Sequence, residues 1–257
     1  MPVNCGHFFV YWLIYPPVIF QTGLFKTMKT IGLIGGMSWE STASYYQLIN
    51  QNIKQQLGGL HSAKLVLVSV DFAEIEALQH LGDWQKTADI LSDAAQSLES
   101  AGADFFLICT NTMHKVASQV SESVNIPLLH IADATGTQLV TDKMTKIGLL
   151  GTKFTMQQGF YKDRLANKFS IDVLVPTKQE QESIHRIIYQ ELCLGIVNQQ
   201  SREQYLEIIQ NLTLRGAQGI ILGCTEIGLL IDKSHTESQL YDTTVIHAQA
   251  AVVESLK

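Results

Sequence analysis

Short apolar runs alternate with longer amphipathic stretches along most of the chain. Runs of this length, bounded by glycine or polar residues and separated by helical patterns, are typical of buried parallel strands in βα units. The pattern therefore predicts an α/β fold made of parallel sheets. The predicted strands cover residues 30–34, 65–70, 105–108, 127–131, 147–150, 171–175 and 220–222.

Three stretches have the apolar periodicity of amphipathic helices, namely residues 83–100, 179–194 and 201–214. Asp83 is a predicted N-cap of the first, because a short polar side chain there can accept a backbone hydrogen bond. The third begins Ser-Arg-Glu-Gln, a capping-box pattern that predicts a helix start at Ser201.

Two segments of the first half of the chain return in the second half, about 115 residues later. KTIGLIGG at 29–36 returns as TKIGLLGT at 145–152, and GADFFLICTNT at 102–112 returns as GAQGIILGCTE at 216–226. An offset of this size matches one small α/β domain. We therefore predict two similar domains related by a pseudo-twofold axis, with the active site in the cleft between them. The predicted domains are residues 28–140 and 141–242, and residues 243–257 are predicted to form a helix that packs back on the first domain.

Residues 1–27 differ from the rest of the chain. Their apolar part, residues 7–20, is too short to span a bilayer and contains Pro16 and Pro17. It also lacks the basic segment and the small-residue cleavage site of a signal peptide. Because a strand pattern begins directly after Met28, the sequence favours an upstream extension that is not part of the fold over a membrane-associated segment.

Composition and charge exclude several partners. The 257 residues are 46% apolar with a net charge of −6, so there is no basic surface for nucleic acid or for an anionic membrane. The cysteines at 5, 109, 193 and 224 form no CxxC pair, which favours a reduced, cytoplasmic protein without a metal site. No NAD is expected, since the glycines at 32, 35 and 36 lack the dinucleotide-binding spacing.

Small polar residues follow the predicted strands, where ligands bind in parallel sheets. The relevant loops are 35–38, 109–112, 151–155 and 223–226. If the halves face each other, loops 109–112 and 223–226 meet across one cleft and place a proton-carrying group on each side of a ligand. Alternatively, a thiol at a strand end is often only a small buried side chain, and Glu226 could be an acidic residue in the first turn of a helix.

These loops resemble the aspartate/glutamate racemase family from residue 28 to the C-terminus. The matching signatures are IGLIGGMS at 31–38, CTNTMH at 109–114 and GCTE at 223–226. The resemblance implies racemisation of a small amino dicarboxylate without pyridoxal phosphate, metal or any other cofactor. Two residues on opposite faces of the α-carbon would remove and return the proton. The resemblance also implies a homodimer.

The first catalytic position departs from the usual Cys-Asn-Thr-x-His pattern of that family. When its Asn-Thr is aligned on Asn111 and Thr112, the catalytic position falls on Thr110. The internal repeat agrees, because it pairs Thr110 with Cys224 and Cys109 with a glycine. We therefore predict Thr110 and Cys224 as the catalytic pair, with Cys109 as the alternative to Thr110. This pair resembles a subgroup specific for the L-enantiomers of aspartate and glutamate.

The two side chains predict unequal roles. A thiol has a pKa near 8.5, which a helix N-terminus can lower, whereas an aliphatic hydroxyl scarcely ionises at neutral pH. The hypothesis is that Cys224 takes the α-proton and Thr110 delivers one, with faster turnover of the L-enantiomer. The predicted substrate-binding residues are Met37, Ser38, Gln79, Asn111, Thr112, Thr152, Thr155, Thr225 and Glu226, with Lys153 a further candidate for the side-chain carboxylate.

Two other functions stay open at this point. The first is a sister enzyme on the same scaffold, such as a hydantoin racemase, a maleate isomerase or an arylmalonate decarboxylase. The second is a non-catalytic protein whose two halves close on a small dicarboxylate. Exchange of the α-proton would separate an enzyme from a binder.

Overall fold

The chain folds around two separate parallel β-sheets, one from each half of the sequence. The computed structural model describes residues 28–257, so the predicted extension at residues 1–27 lies outside the described residues. The first half contains β1 (Ile31–Gly35), α1 (Trp39–Leu57), β2 (Leu65–Ser69), α2 (Phe72–Leu81), α3 (Trp84–Ser100), β3 (Phe105–Ile108), a 3₁₀ helix (Thr112–Val116), α4 (Ala117–Glu122) and α5 (Ile131–Thr141).

The second half repeats this alternation of strands and helices. It contains β4 (Lys146–Gly151), α6 (Lys153–Gln157), α7 (Gly159–Phe169), β5 (Asp172–Leu174), α8 (Lys178–Gln190), a 3₁₀ helix (Leu192–Leu194), α9 (Gln199–Leu214), β6 (Ile220–Gly223), α10 (Ile227–Leu230), β7 (Leu240–Asp242) and α11 (Thr243–Ser255).

Sheet topology reproduces the sequence repeat. The first sheet has the order β2-β1-β3 and the second the order β5-β4-β6-β7, and every pairing is parallel. The repeated segments KTIGLIGG and TKIGLLGT form the central strands β1 and β4. The prediction of an α/β fold with two similar parallel-sheet units is confirmed.

One predicted strand is wrong. Residues 127–131 contribute a single bridge, between Leu128 and Phe106 at the edge of β3. Pro127 has no N–H to donate to a ladder, and α5 already begins at Ile131 with His130 as its N-cap. In the second sheet the corresponding place is occupied by β7. This strand has three residues, too short an apolar run to be predicted from the sequence.

One predicted helix cap is confirmed and another is wrong. Asp83 caps α3 by accepting a hydrogen bond from the N–H of Lys86, as predicted. The predicted start at Ser201 is wrong, because α9 begins two residues earlier with Asn198 as N-cap. The Ser201 hydroxyl donates instead to Glu191 (2.6 Å), a tertiary contact that a local pattern cannot anticipate.

The last helix of each half packs against the other half. Apolar residues of α5, including Ile131 and Leu139, pack with Tyr161 and Leu165 of α7 against one face of the second sheet. Helix α11 packs against α1 and covers one face of the first sheet. Because each half has a helix that packs against the other half, buried contacts cross the proposed boundary near residue 140. That domain boundary stays a prediction.

Three buried histidines lie where the exchanged helices meet. The ring centroids of His114 and His130 are 4.4 Å apart, and those of His114 and His247 are 6.0 Å apart. Nε2 of His247 donates to the Leu129 carbonyl (2.7 Å), and its Nδ1 accepts from the Tyr45 hydroxyl (2.8 Å). Burial lowers the pKa of His130 to about 3 and that of His247 to about 4. The cluster is therefore neutral in the folded protein.

No helix among residues 28–257 is long and apolar enough to cross a membrane.

We expect acid to destabilise the protein through these histidines. Below pH 6.5 the unfolded chain binds protons at His130 and His247 while the folded chain does not, so the free energy of unfolding falls with falling pH. The loss for each is about 2 kcal/mol at pH 5, following from 1.4 kcal/mol per pH unit. Urea titrations at pH 7.5 and pH 5 measure it.

The variant His130→Asn is the matched control for this measurement. Asparagine keeps the N-cap of α5 but does not titrate. The difference in unfolding free energy between pH 7.5 and pH 5 should therefore shrink by about 2 kcal/mol in the variant. An unchanged difference would show that His130 is not held neutral.

Candidate active site

A cavity of about 30 Å³ lies between the two halves at the carboxyl ends of β3 and β6. The loop after β3 contributes Thr110, Asn111 and Thr112, and the loop after β6 contributes Cys224 and Glu226. Three further predicted residues line it from other loops and helices, namely Met37, Gln79 and Thr152. Eight of the residues selected from the sequence thus surround one space.

The other predicted residues lie just behind this lining. The Ser38 and Thr225 hydroxyls both donate to Glu226. Thr155 is fully buried, and its hydroxyl hydrogen-bonds to that of Thr152 (3.2 Å). Lys153 forms a salt bridge with Glu182 at the surface.

Four lining residues were not predicted from the sequence: Phe72, Ile188, Tyr189 and Cys193. Three of them belong to α8 and the 3₁₀ helix after it. Helix α8 follows the second strand of its half, as α2 follows β2, and α2 carries the predicted residue Gln79. The internal repeat therefore held the signal that could have identified this helix.

The strand register bears on the choice between Thr110 and Cys109. Gly151 of β4 pairs with Gly223 of β6. In the first sheet, Ile34 pairs with Ile108, which places Cys109 at the position of Gly223 and Thr110 at the position of Cys224. Cys109 is buried among apolar residues under α1 and α11 and does not line the cavity.

His114 holds the loop that carries Thr110. The backbone N–H of Ile131 donates to its Nε2 (3.2 Å), so the ring proton is on Nδ1, which donates to the Thr110 carbonyl (2.8 Å). Burial, reinforced by His130 and His247, keeps the pKa of His114 well below its usual range. His114 is therefore a neutral support of the backbone.

Glu226 is a buried carboxylate that joins the two halves. It is 5% exposed and accepts hydrogen bonds from the hydroxyls of Ser38 (2.6 Å) and Thr225 (2.7 Å). It also accepts from the thiol of Cys224, with 2.9 Å between sulfur and oxygen. Ser38 caps α1 of the first half, whereas the other three residues belong to the second. No salt bridge to Glu226 is found among residues 28–257.

These contacts act on Cys224 in the opposite sense to the sequence expectation. Burial raises the pKa of the Cys224 thiol well above its usual value, and the negative charge of Glu226 raises it further. A helix N-terminus was expected to lower it, but the next helix, α10, is one turn long and begins three residues later. The thiol is therefore protonated at neutral pH and donates to Glu226.

Contacts between the halves narrow the cavity. Thr112 and Thr152 share a hydrogen bond (3.0 Å), and the Tyr189 hydroxyl donates to Oε1 of Gln79 (3.2 Å). Pockets that enclose small-molecule ligands measure about 300–1,000 Å³, at least about ten times this volume. An amino acid therefore needs more space than this arrangement of side chains leaves.

Charge at the cavity is limited to one carboxylate. None of the described residues that line it is a lysine or arginine, and Glu226 is the acidic one. No group of three His, Cys, Asp or Glu that could hold a metal ion occurs among residues 28–257. Polar recognition here is thus carried by hydroxyls, amides, backbone groups and Glu226.

Comparisons with known proteins agree with this fold. The family model described as Asp/Glu/Hydantoin racemase matches residues 34–251. A crystal structure from Yersinia pestis, provisionally described as an Asp/Glu racemase, is 55% identical, covers 90% of this chain and all of its own, and has a TM-score of 0.85. An aspartate racemase homologue from Pyrococcus horikoshii OT3 is 33% identical over the same shares, with a TM-score of 0.78.

A curated relative extends the comparison to a protein with broader activity. The broad specificity amino-acid racemase RacX of Bacillus subtilis (strain 168) is 24% identical over 86% of this chain and 96% of its own. The fold, the shared cleft and these matches define an amino-acid racemase. The chain belongs to the Asp/Glu/hydantoin racemase family.

We expect Glu226 to control the ionisation of Cys224. Iodoacetamide reacts with the thiolate, so the alkylation rate of Cys224 in the native protein should still be rising above pH 9. In Glu226→Gln the negative charge is gone, and the rise should move to lower pH. Mass spectrometry of the Cys224 peptide measures the rates. The Cys109 peptide is the internal reference for unfolding, because burial alone, and not Glu226, raises the pKa of that thiol. Superimposed pH profiles for the two proteins would contradict this assignment.

Proposed function

We propose that this racemase interconverts the L- and D-forms of aspartate or glutamate by moving the α-proton between Thr110 and Cys224. The observation that carries the proposal is the placement of one proton-carrying side chain from each half at equivalent strand ends around one cavity. The family match and the acidic substrates in the relatives' names support it.

The two residues do different work in this mechanism. Cys224 must first lose its proton, and Oε2 of Glu226 is the acceptor within hydrogen-bond distance. The thiolate then takes the α-proton of the L-amino acid, so the carbon–hydrogen bond breaks and a sulfur–hydrogen bond forms. Thr110 donates its hydroxyl proton to the opposite face of the carbanion. The proton that Glu226 took from Cys224 then returns through water to Thr110, which restores the starting state of all three side chains. Because burial raises the pKa of Cys224, its thiolate is a stronger base than an exposed thiolate.

Hydrogen-bond donors at the loops would stabilise the carbanion. Backbone N–H groups of Met37, Asn111, Thr112 and Thr225 are suited to hold the α-carboxylate, where negative charge develops. Oε1 of Gln79 accepts from Tyr189, and one N–H of its amide donates to the Met113 sulfur (3.9 Å), which leaves the other N–H to donate to the side-chain carboxylate. Thr152 is the second donor proposed there, whereas Lys153 and Thr155 do not line the cavity.

The unequal pair predicts unequal kinetics but not an unequal equilibrium. The enantiomers have the same free energy in water, so a catalyst changes only the barriers. We expect faster initial exchange from the L-acids, because Cys224 removes the α-proton of that enantiomer. Equal initial rates from both enantiomers would contradict the assignment of Cys224 as the base for L-substrates.

The test is exchange of the α-proton in D₂O, followed by NMR on L- and D-aspartate and L- and D-glutamate separately. Cys224→Ala and Thr110→Ala should each lower racemisation at least about 100-fold, as expected when a general acid or base is removed. Cys109→Ala should keep wild-type exchange, since that side chain packs in the core.

Other outcomes of this experiment would point elsewhere. If the wild-type protein bound these acids without exchanging their α-proton, it would be a binding protein. If it neither bound nor exchanged any of the four, a sister substrate or a neutral amino acid would replace the acidic ones. Loss of exchange in Cys109→Ala, with Thr110→Ala active, would move the catalytic position to Cys109.

A further inference from the structure

The buried carboxylate of Glu226 accepts a hydrogen bond from Cys224 while that thiol keeps its proton, and takes up the proton only in the first step of the proposed mechanism. It lines the cavity, is 5% exposed, and its hydrogen-bond partners are two hydroxyls and a thiol. An ionised carboxylate withdrawn from water is costly unless a positive group or several donors compensate for the lost hydration. Its own partners are neutral, so the site has one unit of negative charge facing a ligand space that no lysine or arginine lines.

A second acceptor lies beside the same cavity. Asn111 is 2% exposed, and its Oδ1 is buried without a hydrogen-bond partner among the described residues. The orientation of this amide is set by Thr243, whose hydroxyl donates to the Leu222 carbonyl (2.9 Å) and must accept from Nδ2 of Asn111 (3.0 Å). Asn111, which lines the cavity, therefore has an unused acceptor oxygen.

Two acceptors and one negative charge are complementary to a cationic donor group. An α-ammonium group has three N–H donors and a positive charge, whereas every other polar group of an amino dicarboxylate is an acceptor. We propose that Glu226, assisted by Oδ1 of Asn111, is the specificity residue that recognises the α-ammonium group of the substrate. This inference rests on the proposed racemase function and names the substrate class of the site.

Recognition of an α-ammonium group would separate the candidate substrates into those that carry this group and those that lack it. Free α-amino acids carry the ammonium group, while hydantoins, maleate and arylmalonates do not. A ligand without the ammonium group would leave Glu226 and Asn111 desolvated and unpaired, which is strongly unfavourable. The site is therefore restricted to free α-amino acids, whatever their side chain.

Binding of ligand pairs that cannot racemise tests the inference directly. 2-Methylaspartate and methylsuccinate share one skeleton and differ only by the ammonium group, and isovaline and 2-methylbutyrate form the corresponding pair with a neutral side chain. None has both an amino group and an α-proton, so calorimetry measures affinity without turnover. In the wild-type protein the amine of a pair should bind at least about tenfold tighter than its amine-free partner. In Glu226→Gln this preference should fall to within about twofold.

Ser38→Ala is the matched control. It removes one hydrogen bond from Glu226 but keeps the negative charge, so it should retain the tenfold preference. If Glu226 only ties the halves together, Ser38→Ala and Glu226→Gln should affect both members of a pair alike. That result, or a wild-type protein that binds amine-free ligands as tightly, would overturn the inference.

The two pairs also separate this inference from the proposed function. Preference for isovaline over 2-methylbutyrate, without binding of 2-methylaspartate, would support ammonium recognition by Glu226 and refute the acidic substrate. Preference within the acidic pair that Glu226→Gln leaves intact would refute the role of Glu226 while the acidic substrate stands. Thermal unfolding of each variant verifies that it is folded.

Discussion

The site depends on the exchange of the two terminal helices between the halves. A parallel sheet needs cover on both faces, and in each half one of those faces is covered with the help of a helix from the other: α11 with α1 on the first sheet, α5 with α7 on the second. The same exchange brings His114, His130 and His247 together, and His114 holds the backbone at Thr110. The packing of the core therefore also fixes the position of the loop that carries Thr110.

Glu226 adds a second constraint across the cleft. Hydrogen-bond donors from both halves compensate for its lost hydration. The contact between the halves and the protonation of Cys224 therefore depend on the same carboxylate. These contacts are polar and lie at the cavity, whereas the packing of the exchanged helices is apolar. Widening the cleft for a ligand would therefore disturb hydrogen bonds such as those of Tyr189 and Thr112 before it disturbed the core.

Much of the fold was predictable because its information is local and repeated. Apolar runs predicted six of the seven strands, and the internal repeat alone pairs Thr110 with Cys224. The errors fall where tertiary contacts override local pattern. Residues 127–131 have strand composition, but a proline and the start of α5 leave room for one bridge. Ser201 has capping chemistry, but its hydroxyl is used by Glu191.

The sequence by itself determined the class of fold, the duplication and which loops after the strands line the cavity, because periodicity and repetition are properties of the chain. Only the tertiary structure decided that Cys109 faces the core, that Tyr189 and Cys193 reach the cavity, and that Glu226 contacts Cys224 and Ser38 together. The physical reason is that burial and pKa are set by neighbours distant in the chain. The helix N-terminus near Cys224 suggested a lowered thiol pKa, whereas desolvation and a carboxylate raise it.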